Sequence, residues 1–573
     1  MERLYEPLKY FEQQGKAEHL SHANEYFNDL LSRSGVDVEQ NRATVKNYNK
    51  ECLAVKNVNN TISKFRWLKA FFIILIVVGS IVCLSSIAFF ESDFTKSILL
   101  ILIGATLIVS SALALRLWTN PKIKSAKLKR EEHEKKANEF LHEANGQVAP
   151  LNALFESDTP LRLIEKTIPN LVFEQKFTKR QESFMMRHND FIDFLDDKSS
   201  MLDTLSGSLN GNPFIFCRKL VEKTGTQVYH GYKTISWTER YRDSNGNIRT
   251  RTRTQTLHAQ VVKPRPFWNT DTYLAYGCQA APDLNFSRTH SHSDDLSDRA
   301  GARKVKKGEK SLRKKAQKDA SFQGMTNAEF DVLFGATNRD HEVQFRLMYT
   351  PLAQRNTLAL IDDAINYGDD FNFIKNRRFN VISSEHAQNW DMHVTASDYY
   401  SYDVDEIKRN FINKNQEFFK SVFFDFAPLM AVPAYLEEPS PSLDEIEDYD
   451  TNYTYYEHEV MANKIGYGKF VNERSNTQAI LKTSKISKGE NEDVVTVTAD
   501  SYQTVERVDF IPVLGGDRRM HAVPVPWLEY FPVRNAVNMK VVKADDSDSI
   551  KKIKSEMANG THYHGLFAQT INK

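Results

Sequence analysis

Two uncharged apolar runs constrain this 573-residue chain more than any other feature. Residues 70–90 read AFFIILIVVGSIVCLSSIAFF, and residues 97–115 read SILLILIGATLIVSSALAL. About 20 apolar residues in a helix cross the hydrocarbon core of a bilayer, and a core helix of a soluble protein rarely stays uncharged for so long. The sequence therefore predicts two membrane spans, which the short connector 91–96 joins into a hairpin.

Charged residues beside the spans predict which way the hairpin faces. The connector carries one lysine and two acids, whereas basic residues precede the first span and follow the second: Lys64, Arg66, Lys69, Arg116, Lys122, Lys124, Lys127, Lys129 and Arg130. The positive-inside rule then predicts that both termini are cytosolic in the cell membrane, and Trp67 and Trp118 stand at matching interfacial positions. Neither span contains a charged side chain, which favours an anchor over a transport path.

Apolar residues upstream of the first span recur at three- and four-residue spacing, as in the a/d seam of a coiled coil. The seam comprises Val38, Val45, Tyr48, Cys52, Val55, Asn59 and Ile62. Asp37 can cap this helix, and Asn59 falls at an a position, where a buried amide can fix register. A returning helix is indicated by Ile123, Ala126, Ala137, Phe140, Leu141 and Ala144. Either these segments pack as an antiparallel stalk, or each is an amphipathic helix on a globular domain.

Overall composition excludes some classes of protein. The formal net charge is only +1, so no global field favours nucleic acid or a membrane surface, and charge arguments must be local. The four cysteines Cys52, Cys83, Cys217 and Cys278 form no CxxC pair, which is typical of a reducing compartment. The first 16 residues lack an apolar stretch after a basic start, so we expect no cleavable signal peptide.

The remaining segments predict an α+β chain: a two-helix transmembrane hairpin with a helical cytosolic stalk, followed by mixed antiparallel-sheet cytosolic domains. The predicted segments are a helical N-terminal region 1–66, the hairpin 67–118, a helical region 119–206, a β-rich domain 207–286, a basic polar linker 287–320, and an α+β domain 321–573 with an acidic loop 437–450.

A long hairpin is the clearest unit of the β-rich segment. Asn245-Gly246 supplies the positive φ of a tight turn, and arginines alternate with threonines after it. With a two-residue loop, five arginines share one face: Arg240, Arg242, Arg249, Arg251 and Arg253. Like charges opposite one another destabilise a sheet unless an anion relieves them. A one-residue change of turn instead places Arg242 opposite Ile248. The simpler interpretation is a solvated strand face whose arginines extend into water.

The linker carries a basic run. Residues 303–318 contain nine basic residues and one acid, among them Lys306, Lys307, Arg313, Lys314 and Lys315. Such a run binds anionic lipid near a bilayer or nucleic acid, or it is a solvated loop or charged helix. The linker has too few large apolar residues to fold alone. His290, His292, Asp294 and Asp295 are metal-ligand types in this unstructured stretch, and we predict no metal site there.

From residue 327 the chain is again globular. Residues 327–365 predict a strand, a charged link and a helix that Thr350 caps, followed by strands over 371–383 and a helix over 405–424. We also expect a proline-containing edge strand over 427–436. Strands over 477–533 follow, with a turn at Gly515-Gly516-Asp517.

Several of these residues resemble an uncharacterised bacterial family of two-span membrane proteins. The resemblance rests on Phe330-Asp331-Val332, Asn338-Arg339-Asp340, Arg346 and the Tyr349-Thr350-Pro351 helix start. It covers about residues 320–400 and implies a cytosolic α+β domain. The family has no established activity, so the resemblance implies no catalytic residues.

Signatures of nucleotide, hydrolase and zinc sites are absent from the sequence. His562 and His564 alone do not define a metal site. We therefore predict no cofactor and leave catalytic residues unknown. The leading hypothesis is a membrane-anchored interaction or scaffold protein that contacts the lipid bilayer and a protein partner or a second copy. The alternatives are an anionic-lipid or nucleic-acid binder, and an enzyme whose site is assembled from distant segments.

Overall fold

The computed structural model contains helices and antiparallel sheets in two compact units. It describes residues 4–85, 94–174, 176–191, 196–242, 246–291, 298–319, 322–389, 394–441, 453–488, 492–543, 561–563 and 566–571. The first unit comprises Met1–His19, Leu161–His393 and Phe418–Lys573, and the second comprises Leu20–Pro160 and Val394–Glu417.

Long helices dominate the second unit. Its helices, some of which extend into the first unit, are Lys16–Ser34, Val38–Ser85, Phe94–Ala114, a π-helical turn Leu115–Thr119, Asn120–Asn152 and Val404–Met430. As predicted, Asp37 caps the second of these, because its carboxylate accepts a hydrogen bond from the Gln40 amide at 3.0 Å. The helix therefore starts where its first amides find a side-chain acceptor.

The Val38–Ser85 and Asn120–Asn152 helices pack antiparallel. The Gln147 amide donates to Thr44 Oγ1 at 3.0 Å, His133 Nδ1 lies 2.6 Å from Glu51 Oε2, and the rings of Phe65 and Trp118 meet edge to face. Asn59 was wrongly predicted to lie in the seam: it is exposed, and Val58 is half-buried instead. A straight helix of 3.6 residues per turn drifts from a strict heptad, which explains the one-residue error.

The apolar runs form helices whose side chains are largely uncovered. Over the most apolar 18 residues of the first, 6% are buried, and over those of the second, 11% are buried. Both helices are long and apolar enough to span a membrane. They approach closely where Gly104 faces Gly79, since a Cβ on Gly104 would lie 2.8 Å from the Gly79 carbonyl oxygen. Residues 86–90 of the predicted first span and residues 91–93 of the connector lie outside the described residues.

A seven-stranded antiparallel sheet forms one part of the first unit. In spatial order its strands are Leu171–Glu174, Ser199–Leu209, Asn212–Arg242, Ile248–Gly277, Phe379–Ser384, Phe371–Asn376 and Asn285–Arg288. The sheet thus combines strands from the segments 207–286 and 321–573, which the sequence assigns to separate domains. Pairing of Leu274 with Ile382 joins the two segments, and only tertiary structure reveals such a contact.

A five-stranded antiparallel sheet forms the other part. Its order is Thr561–Tyr563, Leu566–Ile571, Met520–Lys543, Glu492–Leu514 and Ile480–Lys488. The predicted turn is confirmed, since the Gly515 amide donates to the Arg519 carbonyl oxygen at 2.8 Å. Apolar residues of this sheet, including Val495, Val497 and Met539, pack with Met461 and Phe470 in one core cluster.

The helices of the first unit lie between these strands in the chain. They are Pro7–Tyr10, a π-helical turn Phe11–Gly15, Thr159–Thr167 at the unit boundary, Lys179–His188, Asp298–Lys318, Ala328–Phe334, Glu342–Met348, Pro351–Ile361, Pro433–Glu437 and Tyr455–Ile465. Thr350 caps its predicted helix with a hydrogen bond from the Ala353 amide at 3.4 Å. The predicted strands at 371–383 and the helix near 405–424 are also confirmed.

Three predictions of secondary structure are wrong. Within the helical region predicted for 119–206, Ser199–Leu209 is a strand, which is buried on both faces and so lacks the alternation that marks a strand. Residues 328–334 form a helix because Asn327 caps it and Gly335 ends it with a left-handed conformation. The 427–436 segment is helical up to Met430, and Pro433 then starts a short helix at its first turn.

Two long hairpins pack together in a structure that we call the arm. The first hairpin is Asn212–Arg242 with Ile248–Gly277. Its residues 222–242 continue beyond the pairing with Ser199–Leu209, over a length of about 65 Å at 3.3 Å per residue. The second hairpin, Glu492–Leu514 with Met520–Lys543, packs against it through Ile235, Leu257, Val523 and Val525. Gly231 allows the contact, since a Cβ there would lie 2.1 Å from the Pro524 carbonyl oxygen.

Candidate anion-binding surfaces

The end of the arm presents one hairpin beyond the other. The turn of the second hairpin lies against the first, where the Gly516 amide donates to Gln255 Oε1 at 2.7 Å. A Cβ on Gly516 would lie 2.7 Å from the Trp237 ring, so glycine is needed for this contact. Residues 238–242 and 248–253 of the first hairpin extend past it. We call this overhang, together with the end of the second hairpin, residues 508–526, the arm tip.

The register of the first hairpin differs from the two-residue-loop prediction. Arg242 pairs with Ile248, Arg240 with Thr250, and Arg249 with Tyr241. Gly246 has the expected positive φ of 81°, and Asn245 lies outside the described residues. The single face of five arginines is therefore wrong: Arg240 and Arg242 lie on one face, and the other three lie on the opposite face. This register places arginines opposite Tyr241, Glu239 and Trp237, so no two arginines are opposite one another.

The carboxylate of Glu239 lies on the face that carries three arginines. Glu239 lies 2.7 Å from Arg253 Nε and 3.2 Å from Arg251 Nη2, and it accepts a hydrogen bond from the Trp237 indole. The Arg251 guanidinium also stands 5.3 Å from the centre of the Tyr241 ring. Ion pairs this exposed contribute only about 0–1 kcal/mol each, so the arginines remain available to bind an anionic ligand.

The second hairpin adds two arginines at the same end. Arg518 and Arg519 are exposed in the turn, where Arg518 has a positive φ of 62°. The acid beside them, Asp517, is engaged internally: both of its oxygens lie 3.0 Å from His521 Nε2, and this hydrogen bond lowers the pKa of Asp517. The arm tip thus carries seven exposed arginines: Arg240, Arg242, Arg249, Arg251, Arg253, Arg518 and Arg519.

A second basic surface lies on the predicted linker, where of the two structures considered for the basic run, a loop or a charged helix, the structure shows the helix. Asp298–Lys318 is a helix, and its outward face carries eight exposed basic residues: Arg299, Arg303, Lys306, Lys307, Lys310, Arg313, Lys314 and Lys318. Arg313 Nη2 lies 2.6 Å from Glu309 Oε1, within the same helix. We call this surface the basic helix face.

The opposite side of this helix explains why the linker folds. Val305, Gly308 and Leu312 are partly buried, and a Cβ on Gly308 would lie 2.4 Å from a Val332 methyl group. Packing against the Ala328–Phe334 helix supplies the apolar contact that the linker lacks by itself. Lys315 belongs to this packed side, since its ammonium group donates to the Thr337 carbonyl oxygen and stands 4.4 Å from the Phe322 ring centre. It is therefore not part of the basic helix face.

Sequence reasoning missed a buried charged cluster on the Tyr455–Ile465 helix. Glu457 accepts hydrogen bonds from the Phe177 amide at 3.0 Å and Thr204 Oγ1 at 2.7 Å. Burial raises the pKa of Glu457 to about 7, although these two donors oppose the shift. Glu459, also buried, accepts from the Met201 amide at 2.9 Å and lies 3.1 Å from Lys482 Nζ.

The histidine between these acids is also paired. His458 Nε2 lies 3.2 Å from Asp493 Oδ2, and Lys485 Nζ lies 2.8 Å from the other oxygen of Asp493. Burial favours a higher pKa for Asp493, but hydrogen bonds from His458 and Lys485 outweigh it and lower the pKa to about 2. The helix is thereby joined to both sheets of the unit by charged groups.

A second buried cluster surrounds His386. Its Nδ1 lies 2.5 Å from Asp370 Oδ2, its Nε2 lies 3.5 Å from Asp425 Oδ1, and the Tyr367 ring stacks on it. Burial raises the pKa of Asp425 to about 6. For His386, burial lowers the pKa, but the nearby carboxylates outweigh it and the net shift is upward. Both imidazole nitrogens are engaged, Nδ1 by Asp370 and Nε2 by the Ser421 carbonyl oxygen, so the cluster does not present a free base.

Metal-ligating groups do not converge among the residues that the structure describes: no group of three or more His, Cys, Asp or Glu could hold an ion there. His290 lies 3.0 Å from Asn372 Oδ1 and 3.2 Å from Glu385 Oε1. Residues 292–297 and the side chains of His562 and His564 lie outside that description.

A cleft of about 350 Å³ lies between the two sheets, and its lining includes Glu222, Asp500 and Asp197. Glu222 accepts a hydrogen bond from the Tyr502 hydroxyl at 2.6 Å, and Asp500 accepts two from Arg534. These two carboxylates are thus held by internal donors.

Comparison with known proteins gives no match to a family, to a curated protein or to a solved structure. The resemblance to a two-span bacterial family therefore stays a prediction. The function must be argued from the surfaces above.

Proposed function

We propose that the chain is a membrane-anchored interaction protein with two spans and both termini in the cytosol. The observation that carries this proposal is the exposure of the two apolar helices, whose most apolar 18 residues are 6% and 11% buried. A core helix of a soluble protein would be covered by its neighbours. A bilayer covers such side chains instead, because every backbone group of a helix is already hydrogen-bonded internally.

The energetic argument concerns the side chains that the unit leaves uncovered. They include Phe71, Ile74, Ile81, Leu84, Leu99 and Leu102. Burying a large apolar side chain stabilises a protein by about 1.5–3 kcal/mol, so leaving many of them in water would cost more than a domain's usual stability margin of about 5–15 kcal/mol. The absence of charge within the spans supports an anchor rather than a conduction path.

Fractionation and tag accessibility test the anchor. Full-length protein is expected to stay in the membrane pellet after alkaline carbonate extraction, and tags at either end are expected to be inaccessible from outside intact cells. Recovery of the protein in the carbonate supernatant would reject the anchor. A tag accessible from outside would reject the orientation alone.

The second candidate function is binding of a phosphate-bearing polyanion through the basic helix face. The observation that favours it is the placement of eight exposed basic residues on the outward side of a helix whose other side is packed. A fixed row of charges of one sign attracts a polyanion, and the affinity falls as salt rises because counterions are released. Both anionic lipid and nucleic acid present such phosphates.

Full-length protein in detergent or nanodiscs can be tested against anionic liposomes and against DNA at rising salt. K306Q/K307Q/K310Q is expected to weaken binding and to reduce its salt dependence by about three charges. The matched control K223Q/K469Q/R474Q removes three exposed basic residues elsewhere in the same unit. An equal loss of binding in both variants would reject the basic helix face as a site, because the net charge alone would then explain the binding. Binding that does not depend on salt would reject an ionic mechanism.

A further inference from the structure

Exposed apolar side chains lie at the same end of the arm as the seven arginines. Ile248 is 67% exposed on the first hairpin, and on the second hairpin Phe510 is 66%, Leu514 61% and Met520 61% exposed. Phe510, Leu514 and Met520 share one face of paired strands, and such exposure is unusual for large apolar side chains this close together. Ile248 lies on the face of the first hairpin that points away from the second hairpin. Aqueous solvent alone gives no reason to keep them uncovered.

Strand alternation explains how the second hairpin presents these residues. Ile511 and Val513 face the first hairpin, so Phe510, Pro512 and Leu514 face away from it. Their cross-strand partners on the outward face are also apolar: Pro524, Ala522 and Met520. The next pair toward the base, Val508 with Pro526, extends the stripe. The outward face is therefore continuously apolar from residue 508 to the turn, where Arg518 and Arg519 follow.

We propose that the arm tip inserts into the interfacial region of an anionic lipid bilayer. Arg249, Arg251 and Arg253 of the overhang face the same side as this stripe, and together with Arg518 and Arg519 of the turn they contact lipid phosphates. Phe510, Leu514 and Met520 enter the region between headgroups and acyl chains. Interfacial binding increases with buried apolar area and with attraction to anionic lipid, and the tip offers both. Tyr241, which is exposed beside Arg251, has the amphipathic ring that favours the headgroup level.

The character of the tip favours a bilayer over a nucleic acid. Single-stranded nucleic acids stack their bases on aromatic rings, whereas Phe510 is the single aromatic residue of the stripe, and Leu514 and Met520 beside it offer no stacking surface. A second copy of the chain is also a poorer fit, because joining two tips brings fourteen arginines together by doubling the seven on one tip. Pro512, Pro524 and Pro526 have no backbone N–H, which limits strand addition at the edges.

The proposal does not depend on the basic helix face, and one assay separates the two. Full-length protein in neutral phosphatidylcholine nanodiscs is mixed with vesicles of phosphatidylcholine alone or with 30% phosphatidylserine, on the order of the anionic content of a cytosolic leaflet. Co-flotation with the vesicles is measured. We expect binding to the anionic vesicles and at least about 10-fold weaker binding to the neutral ones.

Charge variants test the arginines. R249Q/R518Q/R519Q is expected to weaken binding about 100-fold, since each basic residue near an anionic surface contributes about fivefold. R249K/R518K/R519K keeps the charge and is expected to retain most binding. A charge-neutral variant that binds like the unmodified protein would overturn the proposal. Loss of binding in both variants would overturn it too, because the charge is then not the cause.

Apolar variants test insertion. F510S/L514S/M520S is expected to weaken binding about 10-fold or more and to abolish the part of binding that resists high salt. F510L/L514I/M520L keeps the apolar surface and is expected to bind normally. The control V343S/L347S/I365S removes three exposed apolar residues elsewhere in the unit and is expected to have no effect. Unchanged binding of the serine variant overturns insertion. Binding to DNA but not to vesicles, or self-association without vesicles, overturns the lipid assignment.

Discussion

Two helices of this chain depart from the ordinary soluble pattern in opposite directions. The Val38–Ser85 helix leaves apolar side chains uncovered, whereas the Tyr455–Ile465 helix buries Glu457, His458 and Glu459. In the first, no part of the chain that the structure describes covers the exposed side chains, so we attribute their stability to the medium around them. In the second, each buried charge has a partner from a neighbouring strand or loop.

The difference shows that an unusual residue pattern is explained by its surroundings rather than by its own helix. The backbone hydrogen bonds of a helix are internal in both environments, so the two helices differ only in the surroundings that their side chains require. For the apolar helix we propose a bilayer. For the charged helix the partners are Thr204, Lys482 and Asp493 within the same unit.

The largest expected effect comes from placing charge in the uncovered apolar stretch. I74K/I81K adds two lysines where a bilayer costs about 2.5–3.5 kcal/mol each, so we expect most of the protein to leave the carbonate-resistant membrane fraction. L53K is the control, since Leu53 is also exposed on this helix but precedes the span. If I74K/I81K and L53K fractionate alike, the apolar stretch of this helix has the same solvent as the part that precedes it, which would contradict the proposed bilayer.

Removal of one buried partner tests the charged helix. E459A leaves the Met201 amide without its carboxylate acceptor and removes the ion-pair partner of Lys482, which keeps only its hydrogen bond to the Ser199 carbonyl oxygen. We expect the free energy of unfolding to fall by about 3 kcal/mol. Denaturant unfolding of the detergent-solubilised protein measures it. E473A, at an exposed position, is expected to change stability by less than about 0.5 kcal/mol. An equally small effect of E459A would mean that the buried charges are not needed as pairs.

The pH dependence of stability tests Glu457. Its pKa rises from 4.5 unfolded to about 7 folded, so the folded state binds more protons between these values. Its contribution is therefore complete below pH 4.5 and is lost as pH rises through 7, by about 3 kcal/mol in all. Asp425 shifts in the same direction. We expect E457Q to show a flatter stability profile between pH 5 and 7.5 than the unmodified protein, and identical slopes would contradict the buried carboxyl.

The smallest expected effect concerns the start of the apolar helix. D37A removes the cap on the Gln40 amide and should reduce stability by about 1 kcal/mol without releasing the protein from the membrane. D37N keeps a capping acceptor and serves as the control. Release of D37A protein from the membrane would show that the aqueous end and the apolar stretch of this helix are not independent.

Sequence patterns predicted those elements whose signal is local. The apolar runs, the hairpins and the caps at Asp37 and Thr350 each depend on neighbours a few residues away. The strand Ser199–Leu209 escaped prediction because burial on both faces removes its alternation. The helix 298–318 could not be chosen over a loop from the sequence, because its few apolar residues stabilise it only when Val332 packs against Gly308.

The candidate surfaces were predicted in composition but not in geometry. Five arginines of the arm tip and most of the basic helix face are evident in the sequence, yet the length of the 243–247 turn decides which arginines share a face. Arg518 and Arg519 join them only through packing of the two hairpins. The buried partners of Glu457 and Glu459 come from positions more than 20 residues away, so no local pattern reveals them.

Cysteine accessibility tests the proposed bilayer location of the apolar helices most directly. Val77 and Leu102 are both more than half exposed in the folded chain, so water would reach them if no lipid did. In native membranes, V77C and L102C are expected to resist a hydrophilic maleimide until detergent is added, while K56C on the same long helix reacts at once. Equal labelling rates at all three positions before detergent would contradict a bilayer around residues 70–115.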